Sequence, residues 1–369
     1  MILAAIGTRP EVIKMAPVLR ALRARHLPVE VVATGQHHDF RMMGAFLEGL
    51  SVEVHHAVDR TDSGRPDLFE SFAEILVGLG RLFTARKPRL VLAVGDTTTV
   101  LAAALAARKT GAGFGHIEAG LRAFSRELPE EEHRIAADAL ADLLFAPTRI
   151  AVENLARERV NGEVLLTGNT VLDALREVIR TPVPPDRRDG VLVTVHRQET
   201  VDDPRRLGGI MRAFGELARR QRVTWPVHPR TRHRAELAGL EFPAGIECVE
   251  PLGYREFLDR LARARIVVTD SGGVQEEAAV LGTPCVAVRD NTERPETIEA
   301  QAGILAGTDP ADILHAVERI AAEWDIYARP RPHLYGDGRA GDRIARRCEQ
   351  FLAGEAFEPG RVAARTAVR

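Results

Sequence analysis

The chain has 369 residues, a length typical of two domains, and each half is long enough to bury its own core. A hydrophobic content of 45%, a charged content of 28% and a formal net charge of -2 are ordinary for a globular protein. Because arginines are spread along the chain and balanced by acidic residues, the composition disfavours a nucleic-acid partner.

The three cysteines, Cys248, Cys285 and Cys348, are far apart and form no CxxC or Cys/His pattern, so we expect no metal site. Their odd, sparse number fits a reducing cytosol. No apolar run reaches the roughly 18 residues that a membrane span requires. The N-terminal stretch lacks a basic region and predicts a strand, not a signal peptide. We therefore expect a cytoplasmic protein with no membrane partner.

The first half alternates short apolar runs with amphipathic stretches. The predicted strands are 2–6, 29–33, 90–94, 113–117 and 143–147, and the predicted helices are 12–22, 69–83 and 99–108. Continuous apolar strands that alternate with helices are typical of a parallel sheet covered on both faces.

The same pattern restarts after a segment rich in proline and charge at 176–190, which we interpret as a linker. The predicted strands are then 190–195, 224–227, 266–269 and 285–288, and the predicted helices are 205–219, 254–264 and 274–281. The predicted fold class is α/β, with two Rossmann-like domains facing a central cleft. They cover 1–175 and 191–353, the final helix being able to pack back on the first domain, and a tail follows at 354–369. Ligands bind such sheets beyond the carboxyl ends of the strands.

The strongest local motif is TDSGG, in which Ser271, Gly272 and Gly273 lie between a buried strand and a helix. Free backbone N–H groups at a helix N-terminus attract an anion, and glycines allow it to approach closely, so a diphosphate is the expected ligand. The alternative is an ordinary serine cap with turn-forming glycines. Glu277, one turn into the helix, is placed to accept hydrogen bonds from ribose hydroxyls.

Polar residues also follow the predicted strands of the first half. Arg9 follows the first strand, Asp96 lies in GDTTT, Glu118 in HIEAGLR and Glu130 in LPEEEHR. Carboxylates that lie close together raise one another's pKa and favour acid–base chemistry. The structural alternatives are a helix N-cap for Asp96 and a helix-dipole interaction for Glu130.

The second half has matching basic groups after its predicted strands. His196 and Arg197 lie in TVHRQE, His228 lies in PVHPRTRHR, and Arg294 lies in RDNTERPE. Two pairs of histidine and arginine at strand ends favour phosphate binding as much as a structural role. No GxGxxG motif follows the first strand, which disfavours an NAD site.

The chain resembles the non-hydrolysing UDP-N-acetylglucosamine 2-epimerase family over roughly residues 1–350. The resemblance rests on ordered motifs, which are GTRPEVIK, TGQH, GDTTT, GHIEAGLR, PEEEHR, ADLLFAPT, TGNTVLDAL, VHR, PVHPRTR, TDSGGVQEEA, LGTPCVAVRDNTERPE and AGTD. It implies a fold similar to the two-domain GT-B glycosyltransferases, a homodimer, a UDP-sugar substrate, and no metal or other cofactor.

The resemblance also implies roles for individual residues. It implies diphosphate contacts for Arg9, His196, Ser271 and Gly272, a ribose contact for Glu277, nucleotide-cleft positions for Lys14 and Arg294, and catalytic roles for Asp96, Glu118, Glu130 and His196.

The sequence departs from the family pattern at three places. Asp39 stands where many bacterial members have a glutamine that belongs to a second, activating substrate site, and the segment 55–67 is also unlike the usual pattern. Whether substrate activates this protein therefore stays open. His133 replaces an asparagine of the family's PEExNR motif, so the helix after Pro129 is expected to pack differently.

The expected reaction is elimination of UDP to a 2-acetamidoglucal, followed by re-addition with inversion at C2. Three other readings stay open: a hydrolysing relative that releases UDP and N-acetylmannosamine, a GT-B glycosyltransferase that requires an acceptor, and a nucleotide-sugar sensor without catalysis. The sensor has no use for Asp96, Glu118 and Glu130.

Overall fold

The computed structural model describes residues 1–35, 50–58, 68–125, 128–179, 183–355 and 362–363. Asp39 and positions 59–67, which belong to the departures from the family pattern, lie outside the described residues, as does Gln36 of the TGQH motif. The chain forms two compact units. Unit 1 contains Met1–Ala174 and Tyr335–Arg369, and unit 2 contains Leu175–Leu334.

The described strands of unit 1 are β1 Ile2–Ile6, β2 Val29–Ala33, β3 His56–Ala57, β4 Leu90–Val94, β5 Gly113–Ile117, β6 Leu143–Ala146, β7 Glu163–Leu166 and β14 Val362–Ala363. The described strands of unit 2 are β8 Val191–Thr194, β9 Val223–Pro226, β10 Ile246–Val249, β11 Ile266–Thr269, β12 Cys285–Ala287 and β13 Gly303–Leu305.

The described helices of unit 1 are α1 Arg9–Ala24, α2 Leu68–Arg86, α3 Thr98–Thr110, α4 Pro129–Leu140, α5 Arg149–Glu158, the first part of α6 Thr170–Val178, and α15 Ala340–Ala353. Those of unit 2 are α7 Gln198–Val201, α8 Pro204–Ala218, α9 Pro229–Leu237, α10 Tyr254–Arg263, α11 Gly272–Leu281, α12 Pro295–Glu299, α13 Pro310–Ala322 and α14 Trp324–Tyr327.

Each unit is built on a parallel sheet. Among the described residues the strand order is β14-β7-β6-β5-β4-β1-β2-β3 in unit 1 and β10-β9-β8-β11-β12-β13 in unit 2. Every described strand pair is parallel, so the carboxyl ends of neighbouring strands lie at one edge of each sheet. The predicted α/β class with two parallel sheets is confirmed.

Strand β1 shows why the apolar runs of unit 1 form buried strands. Leu3 and Ala5 belong to one hydrophobic cluster, while Ile2, Ala4 and Ile6 belong to another. Because successive side chains of a strand point to opposite faces, helices must cover both faces of the sheet. The described part of unit 2 has a hydrophobic cluster of its own, formed by β8, β9, β11 and the helices that cover them.

The C-terminal helix α15 belongs to unit 1. The predicted second domain extended to residue 353, with a final helix able to pack back on the first domain. The Asp173 carboxylate accepts hydrogen bonds from the backbone N–H groups of Ala340 and Gly341 at 3.2 and 2.9 Å, which fixes the start of α15. A Cβ atom at Gly341 would lie 2.8 Å from the Pro17 carbonyl oxygen, so α15 approaches α1 as closely as a glycine allows. Helix α15 follows unit 2 in the sequence, but its contacts with α1 and Asp173 place it in unit 1.

Two further differences concern element ends. Helix α1 begins at Arg9 instead of residue 12, because the Glu11 carboxylate accepts from the Thr8 N–H in the manner of a capping box and Pro10 fits the first turn. Val362 and Ala363, in the predicted tail, pair with β7. A search of the described residues finds no helix long and apolar enough to cross a membrane.

Candidate active site

The turn after β1 is held by Glu11. Its carboxylate accepts hydrogen bonds from the N–H groups of Gly7 and Thr8, both at 2.6 Å, and from the hydroxyl of Thr97, which follows β4. Burial raises the pKa of the Glu11 carboxyl group, although these hydrogen bonds act in the opposite direction. Glu11 therefore ties the turn after β1 to the turn after β4. Arg9 is exposed at the first position of α1.

Glu118 directly follows β5 and is only 3% exposed. Its Oε2 accepts from Lys14 Nζ at 2.6 Å and its Oε1 from Asn169 Nδ2 at 3.1 Å. Its φ of 70° is uncommon for a residue with a side chain, and such backbone conformations cluster at functional sites. A Cβ atom added at Gly95 would lie 3.8 Å from Glu118 Oε2, so Glu118 lies close to the turn after β4.

Asp96 contacts helix α4, on which Glu130 also lies. Arg134, which is 1% exposed, donates to the Asp96 carboxylate and also to Glu131 Oε2 at 2.7 Å. His133 Nδ1 lies 2.9 Å from the Asp96 carbonyl oxygen, and because a carbonyl only accepts, this nitrogen carries the hydrogen. Glu130, one turn before Arg134, has a buried Oε2 atom with no hydrogen-bond partner among the described residues.

A buried charged cluster lies beneath these residues. His116 Nδ1 is 2.6 Å from Asp138 Oδ1, and its Nε2 is 2.7 Å from the Gly95 carbonyl oxygen. Both partners accept when Asp138 is ionised, so both ring nitrogens then carry hydrogen and the imidazole is charged. Burial disfavours that charge, but Asp138 outweighs it and raises the pKa of His116. His116 and Arg122 likewise outweigh burial and lower the pKa of Asp138.

Asp96 and Glu118 therefore follow neighbouring strands at the carboxyl edge of the first sheet, and Glu130 lies in the first turn of α4, whose second turn contacts Asp96. We call these three residues the acidic group. β4 and β5 are neighbouring strands, and α4 packs its first two turns against the loop after β4. Lys14 joins the acidic group through Glu118.

In unit 2, Asp270 connects the ends of two neighbouring strands. It is fully buried after β11, and its Oδ2 accepts from the backbone N–H groups of His196 and Arg197, after β8, at 2.9 and 2.8 Å. Asp270 Oδ1 lies 3.4 Å from His196 Nδ1 and has no hydrogen-bond partner among the described residues. The imidazole of His196 is 38% exposed, and its ring centroid lies 5.5 Å from that of His228.

The next residues begin helix α11. Ser271 is its N-cap, yet the Ser271 side chain makes no capping hydrogen bond. A Cβ atom at Gly272 would lie 2.7 Å from Glu293 Oε1, whereas one at Gly273 would meet no atom within 4 Å. We call His196, Ser271, Gly272 and Gly273 the helix-terminus group. The N–H groups of His196 and Ser271 already donate to Asp270 Oδ2 and to the Thr269 hydroxyl, so the N–H groups of Gly272 and Gly273 are the backbone donors of this group that could bind an anion.

Arginines of unit 2, among them the predicted Arg197 and Arg294, contact buried carboxylates. Arg197 Nη2 donates to Glu293 Oε1 at 2.8 Å, and Arg289 Nη1 donates to Glu293 Oε2 at 2.6 Å. Arg294 is 4% exposed and pairs with the fully buried Glu276. These pairs fix the loop after β12 against the start of α11.

Glu277 and His228 have different surroundings. Glu277 is buried on α11 near Tyr254, and burial together with Glu277 raises the pKa of the Tyr254 phenol well above its ordinary value. His228 is exposed and caps α9, since its Nδ1 accepts from the Arg230 N–H at 3.2 Å.

Sequence reasoning missed several residues that organise the site, namely Glu11, His116, Asp138, Asn169 and Glu293. Of these, Glu11 had a usable signal, because the spacing from Thr8 to Glu11 is that of a capping box. Among the described residues, no three His, Cys, Asp or Glu side chains form a group that could hold a metal ion.

Comparison with known proteins identifies the family. The family profile described as UDP-N-acetylglucosamine 2-epimerase matches residues 20–349. The chain is 37% identical to the UDP-N-acetylglucosamine 2-epimerase of Methanocaldococcus jannaschii over 361 residues, which cover 92% of this chain and 96% of that protein. It is 36% identical to the UDP-2,3-diacetamido-2,3-dideoxy-D-glucuronate 2-epimerase of Pseudomonas aeruginosa, over 93% of this chain and 98% of that protein.

A solved structure agrees with these relatives. The crystal structure of the Methanocaldococcus jannaschii UDP-GlcNAc 2-epimerase, in complex with UDP-GlcNAc and UDP, aligns with a TM-score of 0.85 at 35% identity. The alignment covers 95% of this chain and 99% of that one. Together with the acidic and helix-terminus groups, which fall on the matching motifs, these similarities show that the chain belongs to the UDP-N-acetylglucosamine 2-epimerase family.

Proposed function

We propose that the protein interconverts UDP-N-acetylglucosamine and UDP-N-acetylmannosamine without net hydrolysis. The observation that supports this proposal is the acidic group, in which Asp96 and Glu118 follow neighbouring strands and Glu130 lies in the first turn of the helix that contacts Asp96. A protein that only bound a nucleotide sugar would need the helix-terminus group but would have no use for these carboxyl groups. The family membership supplies the substrate class, since the related Methanocaldococcus jannaschii enzyme is described in complex with UDP-GlcNAc and UDP.

The chemistry explains why UDP must leave. The C2 proton of the hexosamine is not adjacent to a carbonyl group, so its direct removal is unfavourable. When the C1–O bond breaks, its electron pair leaves with UDP and C1 becomes electron-deficient, which makes the C2 proton acidic. A carboxylate then takes this proton, and the C2–H electron pair forms the double bond of a 2-acetamidoglucal. Return of UDP to C1, with protonation of C2 on the other face, gives the epimer.

The two groups have separate tasks in this scheme. The backbone N–H groups of Gly272 and Gly273, with the His196 side chain, stabilise the charge that grows on UDP, which is usually the largest catalytic contribution. Two members of the acidic group exchange the roles of base and acid at C2. Asp96 and Glu118 each contact a cation, whereas Glu130 Oε2 is buried with no hydrogen-bond partner among the described residues.

The decisive test is NMR of the purified protein with UDP-N-acetylglucosamine in deuterated water. We expect deuterium at C2 of both the product and the recovered substrate, because the C2 proton must leave. An epimer that retains full protium at C2 would contradict the mechanism. UDP that accumulates in step with substrate loss would instead identify a hydrolysing enzyme, and turnover that depends on an added acceptor would identify a glycosyltransferase.

The hexose itself needs a parallel assay. The Pseudomonas aeruginosa relative is named for a UDP-diacetamido-glucuronate and is as similar as those named for UDP-N-acetylglucosamine. Both names specify epimerisation at C2, so the same acidic group serves either substrate. Comparison of kcat/KM for the two UDP-sugars decides between them, and we expect the higher value for UDP-N-acetylglucosamine.

We also propose that the protein forms a homodimer through helix α2. Phe69, Ala73 and Val77 are exposed at four-residue spacing, so they form an apolar stripe on one face, and Phe69 is 84% exposed. Sedimentation equilibrium should give twice the chain mass. Phe69→Glu should shift the protein to monomer, whereas Ile326→Glu, at an exposed apolar residue of unit 2, should leave the dimer intact. A wild-type monomer would contradict the proposal.

A further inference from the structure

We infer that Asp270 is a positioning residue that selects the tautomer of His196. The inference rests on the proposed function, in which His196 faces the departing UDP. Asp270 has no exposure to solvent, and its two carboxylate oxygens have different surroundings. Oδ2 is occupied by the N–H groups of His196 and Arg197, while Oδ1 has no hydrogen-bond partner among the described residues.

The imidazole of His196 lies beside Asp270 Oδ1. Its Nδ1 lies 3.4 Å from Asp270 Oδ1, and its backbone is already held by Oδ2 of the same side chain. A buried carboxylate oxygen without a partner is costly, and an ionised carboxylate only accepts. The stable arrangement is therefore an imidazole with hydrogen on Nδ1 directed at Asp270. One buried side chain then fixes both the backbone position and the ring orientation of His196.

This orientation determines what His196 presents to the substrate. With Nδ1–H directed at Asp270, a neutral ring has Nε2 as an acceptor, and a protonated ring has an Nε2–H donor directed away from Asp270. His196 can therefore accept a proton at Nε2 and return it, or donate from Nε2 to a diphosphate oxygen, without turning. The same division of roles between a buried aspartate and a histidine operates in serine proteases, where the aspartate orients the imidazole.

Asp270→Asn is the informative variant. The asparagine carbonyl oxygen can still accept from the N–H groups of His196 and Arg197, so the loop keeps its anchor. The amide NH₂ would then face His196 Nδ1 and donate to it, which moves the ring hydrogen of the neutral form to Nε2. We expect turnover to fall by about 10²-fold or more, as for the loss of a positioned acid–base group. UDP affinity should fall much less, because the backbone N–H groups of α11 are untouched.

The ring can be observed directly, with or without activity. In ¹⁵N-histidine-labelled protein at alkaline pH, with His196→Gln used to assign the signal, we expect the Nδ1–H tautomer in the wild type and the Nε2–H tautomer in Asp270→Asn. Asp203→Asn is the matched control, because Asp203 caps α8 and asparagine caps as well. It should leave the His196 tautomer and turnover unchanged.

The outcomes separate this inference from the proposed function. A wild-type His196 with its hydrogen on Nε2 would overturn the inference even if Asp270→Asn fails to fold. Turnover in Asp270→Asn equal to that of the wild type would overturn it as well. If the wild type lacks epimerase activity but its His196 has the Nδ1–H tautomer, the proposed function fails and the positioning role of Asp270 stands.

Discussion

The acidic group of unit 1 and the helix-terminus group of unit 2 manage charge in opposite ways. In unit 1, cationic side chains contact the candidate catalytic carboxylates, as Arg134 contacts Asp96 and Lys14 contacts Glu118. In unit 2, the predicted binding arginine Arg197 contacts the buried Glu293, and the Ser271 side chain does not cap the start of α11. Proton transfer requires ionisable side chains that are held in position, whereas a diphosphate can be bound by backbone N–H groups. This difference explains why the acidic group has cationic partners and the helix-terminus group has backbone donors.

The largest effect is expected in the acidic group. Glu130→Gln keeps the shape of the side chain but removes proton transfer, so turnover should fall by roughly 10²–10⁴-fold. Asp96→Asn and Glu118→Gln should give losses of the same order. UDP affinity, measured by isothermal titration, should barely change in any of the three, because these side chains act at the sugar.

Glu132→Gln is the matched control for Glu130→Gln, since Glu132 is exposed in the same helical turn. It should retain wild-type turnover, and both variants should have melting temperatures close to that of the wild type. Glu130→Gln with near-normal turnover would assign Glu130 to the helix start alone. In that case the carboxylates of the acidic group would not all serve in proton transfer, and the difference in charge between the two groups would not reflect separate catalytic roles.

A second prediction concerns the charged cluster beneath the acidic group. The folded-state pKa of His116 lies above its ordinary value of 6.5, so the charged ring stabilises the fold below that pH. As pH rises from there to the folded-state pKa, the free energy of unfolding should fall by up to about 1.4 kcal/mol per pH unit through this group. Denaturant titrations at several pH values measure this slope.

His116→Gln should remove that part of the slope, and the exposed His315→Gln should retain it. If His116→Gln does not fold, the NMR titration of His116 in the wild type gives the same information. A His116 that loses its proton below pH 6.5 would show that the buried ring is neutral. The cluster beneath the acidic group would then lack the positive charge of His116.

The sequence predicted nine of the fourteen described strands, each as a short apolar run between polar residues, and it missed β3, β7, β10, β13 and β14. β1, β2, β4, β5 and β11 have the predicted bounds. The same regularity places the acidic group, since the carboxyl ends of neighbouring parallel strands must share an edge. The identity of the candidate residues was therefore accessible from the sequence and the family resemblance.

Their partners were not accessible. Lys14 and Glu118 are 104 residues apart, and Arg197 and Glu293 are 96 residues apart, so no local pattern connects them. A carboxylate such as Asp270 also looks like a strand-end residue in sequence, and its contacts with His196 depend on the order of β8 and β11 in the sheet. Long-range pairing of charges is decided by the sheet order and by burial, which a single sequence does not encode locally.

The smallest predicted effect tests the helix-terminus group, and Gly273→Ala isolates it. A methyl group at Gly273 would meet no protein atom within 4 Å, so the fold tolerates it, and alanine should raise helix stability by up to about 1 kcal/mol. If a diphosphate docks on the start of α11, the methyl group occupies part of its space. UDP affinity should then fall by about ten-fold, or 1.4 kcal/mol, while the melting temperature stays level or rises.

Gly80→Ala is the control, because its methyl group also meets no atom and it should gain stability without loss of affinity. Gly272→Ala is less informative, since its Cβ atom would collide with Glu293 and damage fold and site together. If Gly273→Ala binds UDP with wild-type affinity, the diphosphate does not bind at the start of α11. The helix-terminus group would then not be the diphosphate site, and the comparison between the two groups would fail.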